Sequence, residues 1–166
     1  MEYDGLLLKL PSGIKWFIGI FMLVLSVGYG TGLLFVSQTT EATSTGLVEN
    51  YLGNENDREA EVMKFRKEER EMLTLVHTHV LSMSVIFFLV GILVWATKLP
   101  HRFKVVLSIE PLVSVILTFG GIYLMWSGLL WMKYIVMLSG FLMTCSFGAS
   151  VILILYQLAQ KPVKAI

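Results

Sequence analysis

The chain has a single cysteine, Cys145. That scarcity excludes a disulfide within the chain, and no Cys-x-x-Cys pair exists to hold zinc or drive thiol exchange. Cys145 lies inside an apolar stretch, where a small hydrophobic side chain is its ordinary role, so cysteine usage says nothing of redox compartment. Charge is scarce too. Only 15% of residues are Asp, Glu, Lys or Arg, against about 25% in soluble domains. With a net charge of +1, and without a basic tract or nucleic-acid motif, no nucleic-acid partner is expected. Gly-x-Ser-x-Gly, P-loop, His-Glu-x-x-His and Gly-x-Gly-x-x-Gly patterns are all missing, so a soluble-type active site is not expected and the chain reads as non-enzymatic. It also lacks the paired broken helices and inverted repeat of a secondary transporter.

What is present is apolar length. Hydrophobic residues make up 55% of the 166, and the mean hydropathy is +0.73. Residues 16–36 and 134–160 carry no charge, 72–97 carry only two histidines, and 105–126 carry only Glu110. Each run is long enough to cross the roughly 30 Å hydrocarbon core. The prediction is an all-α integral membrane four-helix bundle, read as one domain with spans at 14–37, 73–97, 104–126 and 130–157. The first run is too long for a signal-peptide core and no Ala-x-Ala follows it, so it is expected to stay as an anchor.

Orientation follows from the short basic segments. Lys9 and Lys15, then Lys98, Arg102 and Lys104, then Lys161 and Lys164 all fall on one side of four spans. Positive-inside places that side, with both termini, in the cytoplasm. The opposite side takes the long segment from Thr39 to Leu73, with nine acidic and five basic residues, and a tight turn at Ser127-Gly128. Trp126 and Trp131 flank that turn, and Trp16 and Trp95 lie near the other face, as interfacial aromatics do. Gly140-x3-Thr144-x3-Gly148, and the cluster of Ser26, Gly28, Gly30 and Gly32, predict close helix contacts inside the bundle.

Within the outside segment, 39–46 is polar and predicted irregular. Asn56 with Glu59 fits a capping box. Val62, Phe65, Met72, Leu73 and Val76 then recur at helical spacing, and Glu61 can pair with Lys64. An extracytoplasmic amphipathic helix is therefore predicted from about Asp57, continuing into the second span. Its apolar stripe would rest on the bilayer, on the bundle mouth or on a partner protein. Phe65 and Met72 are the candidate partner-binding residues.

His77 and His79 stand where that helix enters the membrane. Imidazole ligates metals and haem iron. Two residues apart on a helix, the rings point about 200° apart and cannot chelate one ion together. His77 shares a small, polar stripe with Ser84 and Gly91 and is expected to face inward. His79 aligns with Met83, Ile86 and Val90. Candidate cofactor-binding residues are His77, His79 and Met83, for haem b. Candidate metal ligands are His77, His79 and Met72, for copper as Cu(I), which prefers soft ligands; Met125 and Met132 fall at a similar depth. The bland alternative is that the methionines pack and the histidines hydrogen-bond. Glu110, directly before Pro111, is the one intramembrane acid. Such carboxylates are functional candidates by default, and a pair with Arg102 or Lys104 is the milder role. Pro111 is expected to free a backbone carbonyl and kink the helix. Lys133 can snorkel.

The run Gly53-Asn54-Glu55, then Met63-Lys64-Phe65, then His77-Thr78-His79 with Met83, resembles a group of bacterial four-span inner-membrane proteins with an extracytoplasmic HxH at the start of the second span. The resemblance covers residues 46–157. It implies the topology, an inner-membrane location and a place beside respiratory and cytochrome components, and no mechanism. The function expected is thus a multi-pass subunit or accessory factor of a respiratory or metal-handling system. The alternatives are a structural scaffold docking a larger membrane complex and, ranked below it, a small proton- or ion-conducting unit using Glu110.

Overall fold

In the computed structural model, which describes residues 4–57, 60 and 62–160, the described chain is helical, without strands. Four helical rods are long and apolar enough to cross a membrane. The first is α2 (Ser12–Thr40), preceded by the short α1 (Leu6–Lys9), and a small helix α3 (Ser44–Leu52) follows it. The second is α4 (Glu69–Trp95). The third joins α5 (His101–Val115), a π-helical turn (Ile116–Gly120) and α6 (Gly121–Trp126), and the fourth is α7 (Met132–Ala159). Helices are what lipid demands, because a backbone N–H or C=O in hydrocarbon finds no water. Pro11 and Pro100 open α2 and α5: their carbonyls accept the first helical N–H groups, from Ile14 and Lys15 and from Phe103 and Lys104.

The core lies among α4, α5 and α7, where Phe87, Val90, Val94, Val115, Met143, Phe147 and Ile154 are buried together. Gly91 lets α4 approach α5 at Ser108. α2 joins this core through Met22, which is fully buried in it. Its Tyr29 ring stacks on Phe147 of α7 with centroids 4.2 Å apart, and its hydroxyl lies 3.1 Å from Thr144 Oγ1. Most of the large apolar side chains of α2 stay exposed, as a lipid-facing helix requires.

The glycine faces depart from expectation. Nothing in the described structure approaches Gly28, Gly30, Gly32, Gly140 or Gly148. Between α2 and α7 the contact is made by the Tyr29 and Phe147 rings, and these glycines do not mark close crossings within the described chain. Those occur at Gly91 and at Gly121, which lies against Val136. Pro111 does not break the third rod either. α5 runs through it, and the helix adjusts at the π turn further on. The extra residue in that turn re-aims the side chains beyond it.

The end carrying the termini is sewn together by polar links. Leu7 N–H donates to Ala96 O at 3.0 Å. Gln157 Oε1 accepts from the Lys98 N–H at 2.8 Å. Lys104 Nζ donates to Asp4 Oδ1 at 2.8 Å and to Trp95 O at 2.9 Å. Lys104 is therefore Asp4's partner and not that of Glu110, which corrects the expected pairing.

At the opposite end the predicted amphipathic helix is absent. Described residues from Asp57 to Glu68 are not helical, and α4 begins at Glu69. The Asn56–Glu59 box and the Glu61–Lys64 pair rest partly on Glu59 and Glu61, which lie outside the described residues. The capping box falls at Glu68 and Glu71 instead. The cause is competition for backbone groups. Asn54 takes Lys64 N–H on its side chain at 2.7 Å and donates its own N–H to Lys64 O. Glu55 takes Arg66 N–H, and Tyr51 O takes Lys67 N–H. The segment is thereby held extended. Helix appears where it was not expected: α2 reaches Thr40 and α3 starts at Ser44, capped by Thr43 Oγ1 on Gly46 N–H at 3.0 Å. A Cβ at Gly46 would run into the Thr40 carbonyl.

Gly46→Ala should therefore destabilise by about 1–3 kcal/mol through overpacking. Gly30→Ala, with open space around it, should be neutral or stabilise by up to about 1 kcal/mol. Melting of the detergent-solubilised variants tests both. The Lys104 hydrogen bond holds the Asp4 carboxyl below its ordinary range, and the Arg66 backbone N–H does the same for Glu55. Both carboxyls hold protons less tightly folded than unfolded, so their stabilisation is complete above the unfolded range near pH 4. It should be lost as pH falls through the lower folded values. Melting temperature should drop on acidification below about pH 4, and Asp4→Asn should shrink that drop.

Candidate functional site

The loop end of the bundle gathers most of the residues singled out above. A second buried cluster sits there: Leu47 of α3, Met72 of α4, Ile122 and Met125 of α6, and Met132 and Val136 of α7. Over it lies the extended segment. Trp126 Nε1 donates to Lys67 O at 2.9 Å, Arg66 donates to Trp126 O at 3.1 Å, and the Arg66 guanidinium lies 5.1 Å from the Trp126 ring centroid. Lys64 Nζ lies 3.8 Å from Glu49 Oε2. The segment is thus fastened both to α3 and to the tip of the third rod. Burial raises the pKa of Tyr51 beneath it.

Phe65 projects from this fastened segment at 71% exposure, with Val62 and Met63 exposed beside it. Met72 is fully buried, so its thioether presents to neither partner nor solvent; it belongs to the internal packing.

Both histidines are exposed, and the contact between helices falls to His79, not to the His77 expected to face inward. His79 reaches the third rod: its ring stacks on Phe119 with centroids 4.6 Å apart. His77 is exposed, and no described residue bonds or stacks on it. The buried stripe of α4 passes through Phe87, Val90 and Val94, and stepping back toward the loop end by four residues at a time leads through Met83 to His79. The π turn completes the contact by presenting Phe119. His79 Nδ1 lies 2.9 Å from Leu75 O.

Donor geometry decides what such a set could hold. His77 lies about 200° from His79 around the helix, and Met72 about 10 Å from it along the axis, so these three do not converge. His79 and Met83, four apart, share one face. With Nδ1–H donated to the Leu75 carbonyl, His79 Nε2 keeps a free lone pair, the arrangement that orients metal- and haem-ligating imidazoles. Among the described residues no group of three or more His, Cys, Asp or Glu can hold a metal ion.

Glu110 is half-buried in α5. Its Oε1 accepts from Ser114 Oγ, while Oε2 is buried without a hydrogen-bond partner, as are Ser108 Oγ and Ser150 Oγ. Farther along, Thr118 and Ser139 bond at 2.7 Å between the third rod and α7. Sequence reasoning missed this polar lining, yet the signal was available: Ser139, Ser146 and Ser150 fall on one face of α7 at helical spacing, and all three are buried.

No curated protein and no solved structure matches the chain. A family model described as a transmembrane helical domain matches residues 41–165, covering three of the four rods and the whole loop end. The chain therefore belongs to the Aq_1264_TM family of transmembrane helical domains, and is a multi-pass membrane protein.

Proposed function

We propose that the chain is a membrane subunit or accessory factor that docks a partner with the loop end of its bundle. One observation carries this reading. Val62, Met63 and Phe65 are exposed apolar side chains on a segment whose backbone is already immobilised by Asn54, Glu55, Tyr51 and Trp126. An apolar edge rimmed by Lys64, Arg66 and Lys67 has the anatomy of an interface centre with a polar rim. A fixed backbone also lowers the ordering cost of association. The orientation in this reading, with the loop end outside and both termini in the cytoplasm, is supported by the basic residues at the opposite end, and the bacterial inner membrane rests on the resemblance. The respiratory or metal-handling system rests on the resemblance.

A second reading is favoured by His79. Its Nε2 is free and its ring is held by Leu75 O and Phe119, with Met83 one turn away. It would supply one ligand to haem b or copper at the junction with the partner. Conduction through Glu110 ranks lower, because no second acid lies in the spans.

Phe65→Asp with Val62→Asp should abolish co-purification of the partner from native membranes and leave the stability within about 0.5 kcal/mol of that of the unaltered chain, as exposed substitutions do. Retention of the partner would refute the docking reading. If the purified complex shows a Soret band or stoichiometric copper, His79→Ala should remove it and His77→Ala should not. Loss with both, or with neither, counts against His79 as the ligand.

A further inference from the structure

At the end opposite the docking edge, a groove of about 450 Å³ opens between α2 and α7. That volume lies in the range of ligand pockets, roughly 300–1,000 Å³. Its walls are almost wholly apolar: Trp16, Ile20 and Leu23 on one side, Leu155 and Leu158 on the other. Among the described residues its one cationic lining residue is Lys15, at the water-side end. From Lys15 to Leu23 the helix rises about 12 Å, close to half the roughly 30 Å hydrocarbon core. The groove is therefore about one leaflet deep, with a cation at its polar end.

Lys15 is only 9% exposed. Its ammonium donates to Gln160 O at 2.9 Å, which caps α7 but engages one of its three protons. No described carboxylate forms an ion pair with it. A buried cation without an anion is costly. The start of α2 adds to the field there: Ser12 lines the groove, and the N–H groups of Ser12 and Gly13 open a 29-residue helix at the positive end of its dipole. The anion that fits this charge, and whose remainder fits an apolar groove one leaflet deep, is a lipid.

We propose that this groove holds an acyl chain of an anionic glycerophospholipid, with its phosphate on the Lys15 ammonium. The site is independent of the docking edge. Gly19 lines the groove with nothing near its Cβ position, so a leucine there would enter the groove without displacing the fold.

The test uses the full chain reconstituted in equal parts phosphatidylglycerol and phosphatidylcholine, extracted in mild detergent and read by native mass spectrometry. The expected result is one phosphatidylglycerol retained per chain, at least tenfold over phosphatidylcholine. Lys15→Gln should abolish that preference, and Gly19→Leu should abolish retention of either lipid while the melting temperature stays unchanged. Equal retention of the two lipids by the unaltered chain would overturn the proposal. So would retention unaffected by Gly19→Leu, or displacement of the lipid by inorganic phosphate, which would mark a bare anion site.

Discussion

Lipid tails are as apolar as leucine, so α4, α5 and α7 gain no hydrophobic drive from meeting one another inside a bilayer. What holds them is fit and a few polar links, and the rest of the structure hangs from that contact. Gly91 admits Ser108, Thr118 meets Ser139, and Phe87 meets Phe147 edge-on. The π turn belongs to the same constraint. Its added residue lets one rod serve two neighbours, with Thr118 turned to α7 and Phe119 to His79 of α4.

At its two ends the bundle meets water, and the chain treats them differently. The end carrying the termini is closed by short-range links among the chain start, the 96–100 turn and the end of α7. Lys104 and Gln157 satisfy backbone carbonyls there that no helix can. The loop end is closed by a segment with its own hydrogen-bonding logic, anchored on Trp126. This cover is fastened by its backbone and by the charged side chains of Lys64 and Arg66, which leaves its apolar side chains outward, and exposed Phe65 above buried Met72 is the result.

The four rods were legible because hydropathy over some twenty residues leaves few alternatives in lipid, and Glu110 stood out because a carboxylate there is costly. The loop was not legible. Val62, Phe65 and Met72 recur at helical spacing, but periodicity cannot register that Asn54 and Glu55, some ten residues away, take up the backbone groups a helix would need. The histidines were half legible. Their opposition followed from helix geometry alone, while the choice of His79 over His77 depended on how Phe119 was aimed, which a π turn decides and hydropathy does not reveal. Glycine faces misled for a related reason: small residues permit close approach without enforcing it, and between α2 and α7 it is the Tyr29 and Phe147 rings that meet.

That meeting bears on how the protein is made. α2 emerges from the ribosome before the other three rods, and its ring contact with the core sets Tyr29 beside Thr144, 115 residues later in the chain. At about 5–20 residues per second, α2 waits in the bilayer for on the order of ten seconds before its neighbour exists. Its exposed apolar surface suits it to waiting alone among lipids, and the insertion machinery must release it before it can find α7.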